Sequence, residues 1–547
     1  MTTTAATEAI GHEALVRPGV ESAPSGQRQT EGPHSPNADR EPVALRANIV
    51  SNLATNVWAA VAAIGAVPFY IRFLGITEFG LVAFYSTLQA LFVLLDAGLS
   101  TSLNRSLSSL SVQKDSGQEM RDTVRSLEVP YWGIAGAIAA VSFLFSSFAT
   151  DWFHGSGVPR GSLGVIVLLM GLAAALQFPF ALYSGGLLGL QRQVLLNAVV
   201  AIFVGLRTVG AVAVLWLVSP TLEAFFVWQA ALSLAQSVVT GIALWRELPE
   251  GARPARIRFT VLRRVMGFAA AMSVIGAQSI VLTQGPRLLM SRIMDLTHYA
   301  YFSVGVVVSS GLYYLITPIF AAAFPRFTQL VTLGRDDDLK ILYHRVCQLT
   351  SGLILPIAAV LIFFSPQVLL AWTGNRSVVG GSAWITTLLV AGTALQSLAY
   401  MPYALQLAHA WTKLAIYMNL AIIAAVLPLT AWAAIQFGGI GAACIWLGIN
   451  TCYVVFGIRA MHSRLLRGEA AAWYLHDVAP AAVAALVVSG LLRLTLPAPT
   501  GRLAALSEVA LAAVLAMTAA ALALPAVRAW LLQHRTRLNR LVPLPIR

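Results

Sequence analysis

From Asn48 onward the chain is a succession of long apolar runs separated by short polar breaks. A helix rises 1.5 Å per residue, so about 20 apolar residues cross a hydrocarbon core roughly 30 Å thick. Runs of that kind fall at 48–73, 80–105, 129–149, 162–187, 194–218, 221–245, 264–289, 299–325, 347–372, 382–408, 413–435, 438–459, 476–496 and 504–528. Strands of a membrane barrel would instead alternate in ~10-residue segments. The expected fold is all-α and integral to the membrane, with about 14 transmembrane helices. Composition agrees, because 11% of the 547 residues are charged and 58% are apolar. A soluble domain carries about 25% charge to cover its surface.

The formal charge of +13 does not point to nucleic acid, since the basic residues sit in the breaks between spans. If the amino terminus is cytoplasmic, 28 of the 36 Lys and Arg lie in the tails and the even-numbered connections. The opposite face holds Arg72, Arg160, Arg287, Arg292, Arg376, Arg493 and Arg502, while Arg207 lies mid-span. The positive-inside rule therefore predicts cytoplasmic N- and C-termini in a multi-pass membrane protein. Residues 1–45, rich in Pro, Ser and Gly, are expected to be a disordered cytoplasmic tail. Cys347, Cys444 and Cys452 have neither metal-ligand nor disulfide spacing and are read as apolar core residues.

The chain repeats itself weakly. Arg72 and Thr77 stand between spans one and two as Arg292 and Thr297 do between spans seven and eight, at an offset of 220. Asn104-Arg105 and Pro325-Arg326, then Leu176-Gln177 and Leu395-Gln396, keep nearly the same offset through four helices. Two pseudo-symmetric six-helix lobes are expected, 46–246 and 264–460, joined by a basic linker at 247–263. Helices 13–14 occupy 461–530, and 531–547 is a basic cytoplasmic tail. Both lobes start on the same face, which makes a parallel repeat of the kind that encloses an alternating-access cavity.

Charges inside a span cost a few kcal/mol and are functional candidates by default. Arg207 is the one base at mid-depth, Arg72, Arg287 and Arg292 lie at span ends, and Arg105 lies near the inner end of span two. A guanidinium offers a planar fork of donors that matches phosphate oxygens. Asp96 is the one carboxylate well inside a span, a candidate for ion coupling or a cap at the Ala97-Gly98 break. Asn48, Asn52 and Asn56 share a face of span one, and span seven carries Gln278 and Gln284. These amides face a wet cavity or lock helices together. No Ser/His/Asp, Cys/His or metal constellation stands out, no cofactor is implied, and Asp151-Trp-Phe-His154 is the notable acidic cluster in a short connection. An enzyme is not expected.

The segment from Asn48 to Arg105, with Pro68, Leu74-Gly75, Glu78-Phe79-Gly80, Asp96-Ala97-Gly98-Leu99 and Arg105, resembles the opening of the polysaccharide transporter family in the multidrug/oligosaccharidyl-lipid/polysaccharide (MOP) flippase superfamily. That resemblance implies a V-shaped cavity lined by helices one, two, seven and eight. It also implies a substrate of undecaprenyl-pyrophosphate-linked oligosaccharide, flipped outward across the bacterial cytoplasmic (inner) membrane for surface polysaccharide biosynthesis, with H+ or Na+ among the coupling ions. Its partners would be the lipid-linked oligosaccharide, the phospholipid bilayer and other polysaccharide-assembly membrane proteins. The substrate-binding set on this reading is Arg72, Arg105, Arg207, Arg287, Arg292, Asn52, Asn56 and Gln284, with Asp96 the coupling group. Multidrug members place a carboxylate in helix one or seven, and neither 48–73 nor 264–289 holds one. A drug or other lipid exporter of the same fold, or a membrane-embedded glycan polymerase or ligase, is the alternative.

Overall fold

The structure is a computed structural model that describes residues 40–528, apart from 97, 114, 154–159, 261–262, 264–277, 279, 282, 410, 412 and 526. Among the described residues there are helices and no strands, and twelve helices are long and apolar enough to cross a membrane. Two of the fourteen expected runs account for the difference. Most of the first helical run after the linker, 264–289, lies outside the described residues. The runs 413–435 and 438–459 merge in one helical stretch, Lys413–Cys452 with its continuation to Arg464, which counts as a single candidate span. Gly438 interrupts that segment at φ 62°, ψ −147°, a backbone that glycine adopts without the penalty of a Cβ. The tails at 1–39 and 529–547 also lie outside the described residues.

Helices in the first half of the chain are α1 (Arg40–Leu74), α2 (Ile76–Phe92), α3 (Leu99–Leu110), α4 (Gly117–Ser146), α5 (Arg160–Gln177), α6 (Pro179–Gly189), α7 (Gln193–Leu217) and α8 (Leu222–Glu247). A helical stretch at 283–293 precedes α9 (Leu296–Thr332), α10 (Asp336–Phe363), α11 (Ser365–Thr373), α12 (Arg376–Leu398) and α13 (Tyr400–Ala408). After Lys413–Cys452 come two more apolar segments, Ala470–Thr495 and Arg502–Ala523. The repeat is visible in the breaks. Phe178, directly after Gln177, separates α5 from α6, and Ala399, a turn after the paired Gln396, separates α12 from α13.

Span two is broken because of what its sequence holds. A single 3₁₀ turn, Val93–Asp96, follows α2, and Gly98 at φ 73° turns the chain into α3. The Asp96 carboxylate accepts from the Ser100 amide at 3.3 Å and its hydroxyl at 2.8 Å, satisfying donors that a new helix leaves open. Helix α3 then lies against α6, where a Cβ on Gly185 would stand 2.6 Å from the Ser100 carbonyl. Only a glycine lets those backbones approach so closely.

Connections meet one another on two faces, as alternate crossings require. On the face that carries most of the Lys and Arg, Arg192 pairs with Glu247 at 2.7 Å and Arg464 lies 4.5 Å above the Trp411 ring. On the opposite, sparse face, Arg502 donates to the Ala371 carbonyl at 3.1 Å. The linker after α8 is strapped to the start of α4. Asp122, fully buried, pairs with Arg253 at 3.0 Å and Arg258 at 2.8 Å and accepts the Arg256 amide at 2.9 Å. Asp122→Ala would leave two arginines and a backbone donor without their acceptor. We expect a loss of about 2–3 kcal/mol, below the 3–5 of a fully buried pair because Arg253 and Arg258 remain 34% and 46% exposed. A lowered thermal midpoint in detergent, with earlier cleavage in 249–258, would show it.

Among the described residues the two halves share a core at one end only. One apolar cluster joins Tyr70, Phe84 and Phe226 of the first half to Met290, Leu296, Phe302 and Leu369 of the second. Toward the basic face each half has its own cluster, around Leu103, Leu127 and Leu187 in one and around Ile316, Phe327 and Met401 in the other. The halves are therefore fastened at the sparse face and have separate cores at the basic face.

Candidate functional site

Four hydrogen bonds between described residues join the halves, all toward the sparse face. Thr77 and Thr297, which occupy equivalent places in the repeat, bond to each other at 2.8 Å. Thr87 and Tyr299 meet at 3.3 Å, and Trp152 Nε1 donates to Ser291 at 3.3 Å. The fourth follows from a proline. Pro68 has no amide hydrogen, so the Ile64 carbonyl four residues earlier loses its helical donor, and Trp372 Nε1 of the second half supplies one at 3.1 Å. At Gly80 a Cβ would stand 2.7 Å from the Leu296 carbonyl, so the seal also depends on a missing side chain. Asp295 caps α9 by accepting the His298 amide at 2.9 Å. Burial pushes its carboxyl up, but the hydrogen bonds from His298 outweigh this and hold it below the usual carboxylate range.

Beneath the seal is a chamber of about 320 Å³ between the halves. Its wall takes Val67 and Tyr70 from α1, Tyr85, Thr87 and Gln89 from α2, Arg207 from α7, and Gln229 from α8. The second half contributes Arg287, Tyr299, Ser303 and Ser310. Spans one, two, seven and eight are all represented, with additions from spans five and six. A second chamber of about 320 Å³ lies within the second half, and the two share Arg287, Val306 and Ser310 as a common wall. Among the described residues, neither lining contains Asp or Glu.

The two lining arginines are held differently. Arg207 donates through Nη2 to Gln177, to Ser233 at 3.2 Å and to Gln236 at 3.1 Å, while its Nε is buried without a partner. Neutral amides and a hydroxyl fix the guanidinium, and no carboxylate of the described residues pairs with it. Arg287 has no hydrogen-bond or ion-pair partner among the described residues and stands where both chambers can reach it. Two cations without a carboxylate partner among the described residues, at the wall of a central chamber, suit an anion: the Arg287 fork is open, Arg207 adds a fixed charge, and solvent screening is reduced.

The other sequence candidates stand elsewhere. Arg72 is exposed at the sparse-face end of α1, and Arg292 is exposed with its guanidinium 5.8 Å from the Trp152 ring centroid. Arg105 is exposed on α3, away from either lining. Asn52 fastens α1 to α7: it accepts from Asn197 at 2.6 Å and donates to Gln193 at 3.4 Å. Thr55 and Trp58 extend that fastening to the Asn197 and Ala201 carbonyls. Asn56 is exposed and lines neither chamber. Gln284 is half-buried and in neither lining, its Oε1 shielded and without a partner among the described residues. Asp96 takes a third hydrogen bond from Tyr131 of α4, in addition to its capping bonds to Ser100. It therefore ties the break of span two to span three. Asn48 and most of 264–289 give no side-chain description, whereas Gln278 is half-buried.

The sequence reading passes over the tyrosines and the amides Gln89 and Gln229. Tyr85, Tyr299, Tyr313, Tyr400 and Trp446 line the chambers, but an aromatic inside a span ordinarily reads as packing. Gln177 and Gln396 did carry a signal, since they are among the few identities that the repeat preserves.

A multi-pass helical protein with two joined halves and a central chamber has the architecture of a transporter, and the comparisons with known proteins agree. The structure is similar to the lipid II flippase MurJ in an inward closed conformation, with a TM-score of 0.63 at 12% identity, over 87% of this chain and 98% of that one. It is also similar to an inward-facing multidrug resistance MATE family transporter of the MOP superfamily, with a TM-score of 0.57 at 13% identity, over 76% and 96%. At those identities the likeness is one of fold. A Shigella flexneri protein described as an O-antigen transporter is 22% identical over 400 residues, which is 73% of this chain and 93% of that protein. The family model for polysaccharide biosynthesis proteins matches residues 45–331, more than half of the chain. The chain belongs to the polysaccharide biosynthesis protein family.

Proposed function

We propose that the chain is a flippase that moves an oligosaccharide linked to undecaprenyl pyrophosphate from the cytoplasmic to the outer leaflet by alternating access. The observation that carries this reading is the pair Arg207 and Arg287 on one chamber wall, the second without a protein partner among the described residues. A diphosphate crossing a hydrocarbon core loses its hydration, and paired guanidinium groups offset that cost with charge-assisted hydrogen bonds. Taking the basic face as cytoplasmic, the fastened sparse face and separate basic-side cores correspond to an inward-facing state. The absence of carboxylates from both linings disfavours a cationic drug as cargo.

Coupling to H+ or Na+ is part of the proposal, with Asp96 as the group that would bind the ion. Neutralising it would weaken the cap on α3 and so loosen the break in span two. The test is a deletion in the native host. The deletion should accumulate the lipid-linked glycan in the inner leaflet and lose surface polysaccharide, and a plasmid copy should restore both. Unchanged surface polysaccharide with no accumulated intermediate would end the flippase reading.

A further inference from the structure

The second chamber has a chemistry of its own. Its floor and walls bring together Tyr313 of α9, Thr393 and Gln396 of α12, Tyr400 of α13, and Thr430 and Trp446 of the segment Lys413–Cys452. Tyr313 donates its hydroxyl to the Gln396 carbonyl oxygen, which turns the amide nitrogen of Gln396 free of that bond. Trp446 Nε1 donates to Thr393 at 3.2 Å, fixing the indole against α12. The Tyr313 and Tyr400 rings lie 6.3 Å apart, and Phe320 packs edge-on to Tyr400 at 5.8 Å. Neither the Tyr400 hydroxyl nor the Gln396 Nε2 group has a hydrogen-bond partner among the described residues.

Such a lining suits a particular ligand. Rings offer faces for the apolar side of a compact ligand, while hydroxyl and amide groups meet its edge. The lining holds no carboxylate, and its one cation, Arg287, sits on the wall shared with the central chamber. At about 320 Å³ the space is at the lower end for small-molecule sites, enough for a compact ligand and not for a long chain. A neutral, polyhydroxylated ring attached to a diphosphate has this shape and charge pattern.

We propose that the second-half chamber is a sugar site: it holds the ring next to the diphosphate, which rests on Arg287 at the common wall. This rests on the flippase reading and adds a division of labour, with phosphate read between the halves and the first sugar read inside one of them. The lipid tail and outer sugars stay outside both chambers.

The test uses the full-length protein in detergent and two probes. One is undecaprenyl pyrophosphate; the other is the lipid-linked glycan extracted from the native host lacking this gene. Wild type should bind the glycosylated lipid roughly tenfold more tightly than the bare one, the worth of one to two added hydrogen bonds. Tyr400→Phe and Gln396→Leu should each remove most of that preference and leave the affinity for undecaprenyl pyrophosphate unchanged. If both variants keep the wild-type preference, the sugar is bound elsewhere and the chamber proposal falls while the flippase reading stands. If wild type binds neither probe, or Arg287→Ala binds both as tightly as wild type, the flippase reading falls first. The melting temperature of each variant separates a lost contact from a lost fold.

Discussion

Arg287→Ala is expected to abolish glycan export while the protein still inserts and accumulates. Arg287 makes no hydrogen bond or ion pair within the described residues, so its removal costs the fold little. Its whole contribution falls on the ligand. One charge-assisted hydrogen bond is worth about 1.5–3 kcal/mol, which corresponds to roughly 10- to 150-fold in affinity for a diphosphate. Arg287→Lys restores part of this, because an ammonium supplies charge without the planar fork. Arg207→Ala should also stop export but carries a structural cost, since Gln177, Ser233 and Gln236 lose their common donor. Export is read as surface polysaccharide per unit of membrane-inserted protein. Wild-type export from Arg287→Ala would remove the anion site from the mechanism.

The second large effect is expected at the seal. Thr77 and Thr297 already bring their side-chain oxygens to 2.8 Å. Paired cysteines there place two sulfur atoms where a bond of about 2.05 Å can close with little movement. In a background without Cys347, Cys444 and Cys452, oxidation of Thr77→Cys/Thr297→Cys should lock the sparse face shut and stop transport. Reductant should restore it, and each single variant should be unaffected by oxidant. A cross-linked protein that transports at the wild-type rate would show that the halves do not part at this point.

Both expectations depend on features of unequal visibility in the sequence. Arg207 was legible because a base at mid-depth of an apolar run is expensive and needs a reason. Arg72, Arg287 and Arg292 look alike in sequence, each at a span end. The fold separates them: Arg287 turns into the shared wall, while the other two are exposed. Snorkelling to the headgroups is available to any arginine at that depth, and only the neighbours decide whether it is used. The asparagines make the same point. Fourfold spacing placed Asn52 and Asn56 on one face of span one, but periodicity does not say what covers a face. Asn52 is met by Asn197 and Gln193 of α7. Asp96 was legible both as a buried carboxylate and as a cap, and its geometry shows the cap together with Tyr131.

By itself the sequence determined that the chain is a helical membrane protein, where most spans lie, which face is basic and that the two halves repeat. Those properties follow from local hydrophobicity, charge placement and internal identity, and each is written in neighbouring residues. Only the tertiary structure decided that Thr77 meets its own repeat partner, that Trp372 supplies the hydrogen bond Pro68 removed, and that Arg207 and Arg287 share a chamber. Each of these joins residues from 80 to more than 300 positions apart, at distances set by how whole helices pack. Packing is a property of the assembled bundle, and no window along the chain contains it.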